Sequence, residues 1–364
     1  MRQNRSGQGE LGVITVGERV TIRDVAARAG VSVATVSRVL AGNYPTSAAS
    51  RAKVQRAAKD LDYVVNAHAR ALAGAGRKTV AVLVLDVVSS FYAHIAQGVE
   101  REAAKRGRLC MMFSTDADPA RELAIVEMMR EQAAEAVLLV GGVIEDEEYR
   151  QRMSRYAELL AAAGSRLVLV GRPAPAPHVP ALVVEYDNEA GAYAITSHLL
   201  GAGHRRIALI GYRPGNTTGE ARVRGYQRAL TDHGITPEPA LQVGVGFGGE
   251  HGYHAIRQLL EQCDGKPEFT AIFAGDDQVA AAAIRALSEY GLRVPDDISV
   301  AGYNDDPVAS DVTPGLTTIH IPGEALGRTA VRLALEGTTR TSQERHVLGT
   351  HIVVRDSVRR LPPA

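Results

Sequence analysis

In the stretch VSVATVSRVL, short and basic side chains are gathered where they could read the edges of base pairs. Arg38 carries a planar fork of donors that fits guanine O6 and N7 bidentately, and Thr35 and Ser37 can reach phosphate oxygens or base edges. Val33 or Ala34 can pack on thymine methyls, and Ser32 starts the run. The rest of the chain offers no comparable set for catalysis: no paired nucleophile and base, no metal cluster and no cofactor fingerprint, so neither an enzyme nor a cofactor is expected. GVGFGG at Gly244–Gly249 lacks the G-K-[ST] ending of a phosphate loop, and His251 and His254 lack a third ligand. EDEEY from Glu145 is most simply a solvated helix start, and Cys110 and Cys263, in different segments, read as reduced, mostly buried thiols.

Helices must carry the first set. Thr21 with Asp24 three residues on is a capping-box pattern, and Ile22, Val25, Ala26 and Ala29 form one apolar stripe that Gly30 ends. Ser32 caps a second helix, VATVSRVL, whose Val36, Val39 and Leu40 face inward. A third helix begins at Ser47 and turns Val54, Ala57, Ala58 and Leu61 to the same small core. A three-helix module that binds nothing is the competing reading. The exposed end of the second helix, which is where a recognition helix enters a major groove, decides for DNA, with Thr21 counted among the contacts.

Charge supports this. The formal net charge is zero, yet residues 17–77 hold 10 Lys/Arg against 4 Asp/Glu, while residues 78–364 hold 29 against 36. A small basic module precedes a large acidic one, the footprint of phosphate binding. At 364 residues, 45% hydrophobic and 23% charged, the chain is long enough for more than one domain and ordinary in composition. No run approaches the roughly 20 apolar residues of a membrane span, and no signal-peptide core is visible, so a cytoplasmic protein is expected. Residues 1–16 read as a disordered tail.

From Thr79 onward short apolar strands alternate with amphipathic helices: VAVLVL, RLCMMF, AEAVLLV, RLVLVG, ALVVEYD, RIALIG, LQVGVG, TAIFAG and ISVAGYN. That is the pattern of a parallel sheet covered by helices. Nine strands suit two similar halves of about five strands, with a ligand cleft beyond their carboxyl ends.

TIRDVAARAGVSVATVSRVL followed by SAASRAKVQRAAKDLDYVVNAHARAL resembles the DNA-binding headpiece of the lactose/galactose repressor family. DNEAGAYAITSHLLGAGHRRIALIG, FAGDDQVAAAAIRAL and GLRVPDDISVAGYNDD extend the resemblance to nearly all of residues 20–357. It implies a helix-turn-helix headpiece at residues 17–64, with Val33, Ala34 and Arg38 discriminating operators. It implies a hinge helix and linker at 65–77, with Leu72 wedging between base steps near Asn66, Ala69 and Arg70. It implies a periplasmic-binding-protein-like domain of two doubly wound parallel-sheet halves at 78–364. One half would comprise 78–175 and 305–336, and the other 176–304 and 337–364. The chain would cross near Pro173–Pro177, near Asn304–Asp306 and after Leu335.

For the cleft the resemblance implies Arg222 as donor fork, Asp277 as acceptor, Phe91, Tyr92 and Phe247 as aromatic cover, and Asn304 beside them. Opposed guanidinium and carboxylate forks suit the vicinal hydroxyls of a sugar. The expected protein is a homodimeric repressor of carbohydrate-utilisation genes, released from a palindromic operator by a sugar. The alternative is a nucleobase, nucleoside or other effector acting as corepressor. A dimer is favoured over a tetramer because no heptad repeat follows the last strand. A sugar receptor without a DNA-binding role would explain the large domain only.

Overall fold

The structure, a computed structural model, describes residues 20–41, 45–63, 79–176, 178–244, 246–263, 266–336 and 343–362. The expected tail at 1–16 and the hinge residues Asn66, Ala69, Arg70 and Leu72 lie outside the described residues. Two compact units, Met1–Arg77 and Lys78–Ala364, divide the chain close to where its charge changes sign.

The first unit contains α1 (Ile22–Ala29), α2 (Val33–Ala41) and α3 (Ala48–Asp60). Before α1 the Asp24 carboxylate accepts from both the backbone N–H and the hydroxyl of Thr21, each at 2.7 Å, as the capping-box spacing predicts. Gly30 closes α1 at φ 65°, ψ 38°, the left-handed conformation that glycine adopts without a Cβ clash. The core is Val25, Ala26, Ala29, Val36, Val54 and Ala57, and Val39, Leu40, Leu61 and Tyr63 pack around it. Val25, Val36 and Val54 are fully buried, each contributing roughly 1.5–3 kcal/mol over an exposed position.

In the second unit, one lobe is built on β1 (Thr79–Val84), β2 (Leu109–Ser114), β3 (Ala136–Val140), β4 (Arg166–Val170), β5 (Leu182–Tyr186) and β11 (Glu344–Leu348). These form one parallel sheet in the order β11-β5-β4-β3-β1-β2. Four helices accompany it: α4 (Ser90–Lys105), α5 (Pro119–Glu131), α6 (Glu147–Ala162) and α12 (Gly323–Glu336). Residues of β1, β3 and β4 are buried throughout, as strands covered on both faces must be. Helices α4 and α12 touch backbone to backbone: a Cβ on Gly98 would overlap the Glu324 carbonyl, and one on Gly327 the Ile95 carbonyl.

The other lobe holds α7 (Asn188–Gly201), β6 (Ile207–Ile210), α8 (Thr217–Asp232), β7 (Gln242–Val243), α9 (Gly249–Glu261), β8 (Ala271–Ala274), α10 (Asp277–Glu289), β9 (Ser299–Ala301) and α11 (Val308–Asp311). Its parallel sheet runs β7-β6-β8-β9. Beside β9 lie β10 (Thr318–His320) and β12 (His351–Val353), an antiparallel pair joined to it through the Ala301–Thr317 and Asn304–His320 bridges.

Two lobes are present as expected, but all three crossings are displaced. The loop around Pro173–Pro177 connects β4 to β5 within one sheet, so the first crossing follows Tyr186. The second follows His320, because residues 305–320 stay with the second lobe. The third follows Leu348, because β11 pairs with β5 before β12 returns to β10. Proline interrupts a strand without saying which sheet the next strand joins, and parallel pairing is non-local, so neither composition nor periodicity marks these crossings.

Candidate functional site

On the headpiece, Ser32 Oγ accepts from the Thr35 backbone N–H at 3.2 Å and lies 2.9 Å from the Thr35 hydroxyl, fixing the first turn of α2. Ser32, Val33, Ala34, Ser37 and Arg38 are exposed and Thr35 is half-buried. Val36, between them, is fully buried. Val33, an apolar residue 42% exposed at the first position of α2, is a surface that a thymine methyl can cover. The expected base-reading residues therefore share one end and one face of a helix whose opposite face is anchored in the core.

In the large unit a cavity of about 860 Å³ opens between the lobes. Its walls include residues just past the carboxyl ends of β1 (Leu85, Asp86), β2 (Thr115), β3 (Gly142), β4 (Arg172) and β8 (Asp276), where parallel α/β sheets place their ligands. Phe91, Tyr92, Arg222, Phe247 and Asn304 all line it.

Arg222, on α8, is 3% exposed. Its Nε donates to Asn188 Oδ1 at 3.0 Å and one terminal nitrogen donates to the Gly275 carbonyl. The other terminal nitrogen reaches only the Tyr186 hydroxyl at 3.5 Å and Asn304 Oδ1 at 3.4 Å. The guanidinium lies over the Tyr303 ring at 3.8 Å, with Phe247 at 5.8 Å. The plane is thus fixed while weakly engaged N–H groups remain for a ligand acceptor.

Asp277 does not line the cavity. It is fully buried, accepting from the Thr318 hydroxyl at 2.6 Å and the Asp306 backbone N–H at 2.7 Å. Burial outweighs those hydrogen bonds and pushes its pKa up to about 8. Its neighbour Asp276 does line the cavity, as do Asp86, Glu122 and Asp306 among other carboxylates. Asp276 caps α10, accepting from Val279 N–H at 2.7 Å and Gly248 N–H at 3.2 Å; burial raises its pKa against these bonds and Arg222. Asp277, the expected acceptor, therefore has both oxygens engaged inside the protein and is absent from the cavity lining, in which Asp276 stands. Asp277 is the first residue of α10 and Asp276 is its cap.

The first lobe adds groups that the sequence reading missed. Arg172 and Glu122 form an ion pair at 2.8 Å, with side chains 7% and 8% exposed, and both line the cavity. Arg172 Nε is buried without a hydrogen-bond partner. A charged residue one glycine beyond a buried strand, as in RLVLVGR, was the available signal. Phe91 packs edge-on to Tyr92 and Tyr186, with centroids 5.2 and 6.0 Å away, and burial pushes Tyr92 up to about 12 although Arg172 pulls it down.

The lobes also touch. Thr217 N–H donates to the Val143 carbonyl at 2.8 Å, Val143 N–H donates to Thr217 Oγ1 at 3.1 Å, and Ile144 bridges Asn216. Gly142, next to this contact, is packed against Thr218 and Asn216.

Residues 21–66 match the family model for bacterial regulatory proteins of the lacI family, and residues 196–358 match that for a periplasmic binding protein-like domain. The HTH-type transcriptional regulator DegA of Bacillus subtilis (strain 168) is 32% identical over 342 residues, 93% of this chain and 98% of that protein. A CelR–cellobiose complex is 34% identical with a TM-score of 0.67, covering 93% of this chain and all of that one. The lac repressor dimer bound to operator and the anti-inducer ONPF is 26% identical with a TM-score of 0.79, covering 94% and 100%.

Proposed function

This chain belongs to the lacI family of bacterial regulatory proteins, and on that premise we propose that it is a cytoplasmic homodimeric repressor released from a palindromic operator by a sugar. The observation that carries the effector class is the polar lining of the cleft. Arg222 and Arg172 present planar donors from opposite lobes, Asp276 presents an acceptor, and Phe91, Tyr92 and Phe247 supply ring faces. Opposed forks bind vicinal hydroxyls, and aromatic rings cover the apolar face of a pyranose. The volume lies within the roughly 300–1,000 Å³ of small-molecule sites. A disaccharide is favoured by the 34% identical relative whose complex contains cellobiose.

Release follows from coupling. A ligand held by both lobes favours one lobe arrangement and the operator favours another, so each weakens the other's binding by the same factor. No bond-breaking step is assigned to the cleft. The test is selection of a palindromic operator from a random pool by the purified protein at fixed salt, with mono- and disaccharides and a purine added in turn. Loss of binding with a single sugar supports the reading. Stronger binding with the purine replaces it by the corepressor, and absence of specific DNA binding overturns it.

A further inference from the structure

Asn304 and Asp305 both carry left-handed backbone, φ 111° and 60°, without being glycine. Such conformations persist only where the surroundings over-determine them. Asn304 faces the cleft, whereas Asp305 turns to the segments that cross between the lobes. Its Oδ1 accepts from Arg355 at 2.7 Å, and its Oδ2 lies 3.0 Å from His320 Nδ1. Burial acts to raise the Asp305 carboxyl, but Arg355 and His320 together hold it below its usual range. A carboxylate only accepts, so Nδ1 of His320 is the donor.

His320 is the last residue before the second crossing, and its register partner His351 is among the first after the third. The two rings stack with centroids 4.9 Å apart. The same crossing segment grips the backbone of Asn304 on both sides: Asn304 N–H donates to the Ile319 carbonyl at 2.9 Å, and Ile321 N–H donates to the Asn304 carbonyl at 3.3 Å. The charged and titratable groups around the His320 ring are Asp305 on the loop, His351 on β12 and, through Asp305, the guanidinium of Arg355.

We propose that Asp305, clamped by His320 and Arg355, is a positioning residue for Asn304, and that the clamp tightens when the stacked histidine pair takes up a proton. Protonation converts the His320–Asp305 hydrogen bond into a charge-assisted one, about twice as strong. The fraction of molecules with Asn304 in its strained geometry rises accordingly, and apparent effector affinity scales with that fraction. This rests on the cleft being the effector site, but its first readout does not.

The test uses the full-length wild type, Asp305→Asn and His320→Gln, compared at about pH 5 and about pH 8, the range in which imidazole titrates. Hydrogen-exchange protection of the Asn304 and Ile321 amides is measured first, expressed relative to intrinsic exchange at each pH. Wild-type protection should be about three- to tenfold higher at the lower pH. His320→Gln should abolish that difference, and Asp305→Asn should lower protection at both values. Cellobiose titration should show the same pattern in affinity. Unchanged pH dependence in His320→Gln, or unchanged Asn304 protection in Asp305→Asn, overturns the proposal. If wild type binds no cellobiose at either pH, the disaccharide reading fails while the exchange data still decide the role of Asp305.

Discussion

Substituting Gly142 by alanine tests whether the contact between the lobes governs ligand retention. A Cβ there would overlap the Thr218 hydroxyl and sit 2.7 Å from Asn216 Oδ1. Asn216 cannot readily yield, because that oxygen caps α8, accepting from Thr218 N–H at 3.1 Å and Gly219 N–H at 3.3 Å. Reaching ordinary van der Waals contact requires the segments to part by about 0.7 Å, which stretches the 2.8 Å Thr217–Val143 hydrogen bond to the edge of its range. Gly142 is not among the glycines with positive φ, so alanine adds no backbone strain of that kind. Loss of the two Thr217–Val143 hydrogen bonds, at ~0.5–1.5 kcal/mol each, disfavours the joined arrangement by ~1–3 kcal/mol. Effector affinity measured by calorimetry should therefore fall by about 5- to 150-fold, and small-angle scattering of the unliganded protein should show a wider particle. Wild-type affinity together with an unchanged scattering curve would refute the reasoning.

Arg222→Lys keeps the charge but loses the planar fork and its stack on Tyr303. Calorimetry should show effector binding weakened by about 10- to 100-fold, with effector-free operator binding retained. Burial raises the Asp277 pKa in the folded protein to about 8 from the ordinary carboxylate value of 3.8, so the folded state holds the extra proton between those values and stability falls as pH rises from the lower to the higher. Thermal melts across that window should decline in wild type and flatten in Asp277→Asn. Arg38→Ala removes the proposed guanine fork; operator affinity should fall by ~1–3 kcal/mol, with preference relaxed at one base pair in competition binding.

The headpiece was legible because its determinants are local. Thr21 and Asp24, Gly30, Ser32 and Ser47 are start and stop signals within one helix turn of the elements they punctuate, and all act where their spacing placed them. Strand existence in the large unit was equally readable, but membership was not. LVVEY is apolar and extended whichever sheet it joins, and only pairing with residues 166–170 and 344–348 decides. The three short strands Thr318–His320, Glu344–Leu348 and His351–Val353 are partly exposed or only three residues long, too weak a pattern to be recognised. In the cleft, Arg222 could be placed from its phrase. The partnership of Arg172 with Glu122 spans 50 residues and left no periodic trace.

The return of the chain to the first lobe has a consequence for synthesis on the ribosome. Strands β1 to β5 emerge early, yet α12, whose Gly327 meets α4 as the Gly98 of α4 meets α12, and the edge strand β11 emerge only after most of the second lobe. The first lobe therefore stays uncovered until residue 348 has left the exit tunnel, while the headpiece, whose core closes within residues 22–63, is available much sooner. A nascent chain stalled near residue 320 would display a formed recognition helix attached to an unfinished sensor.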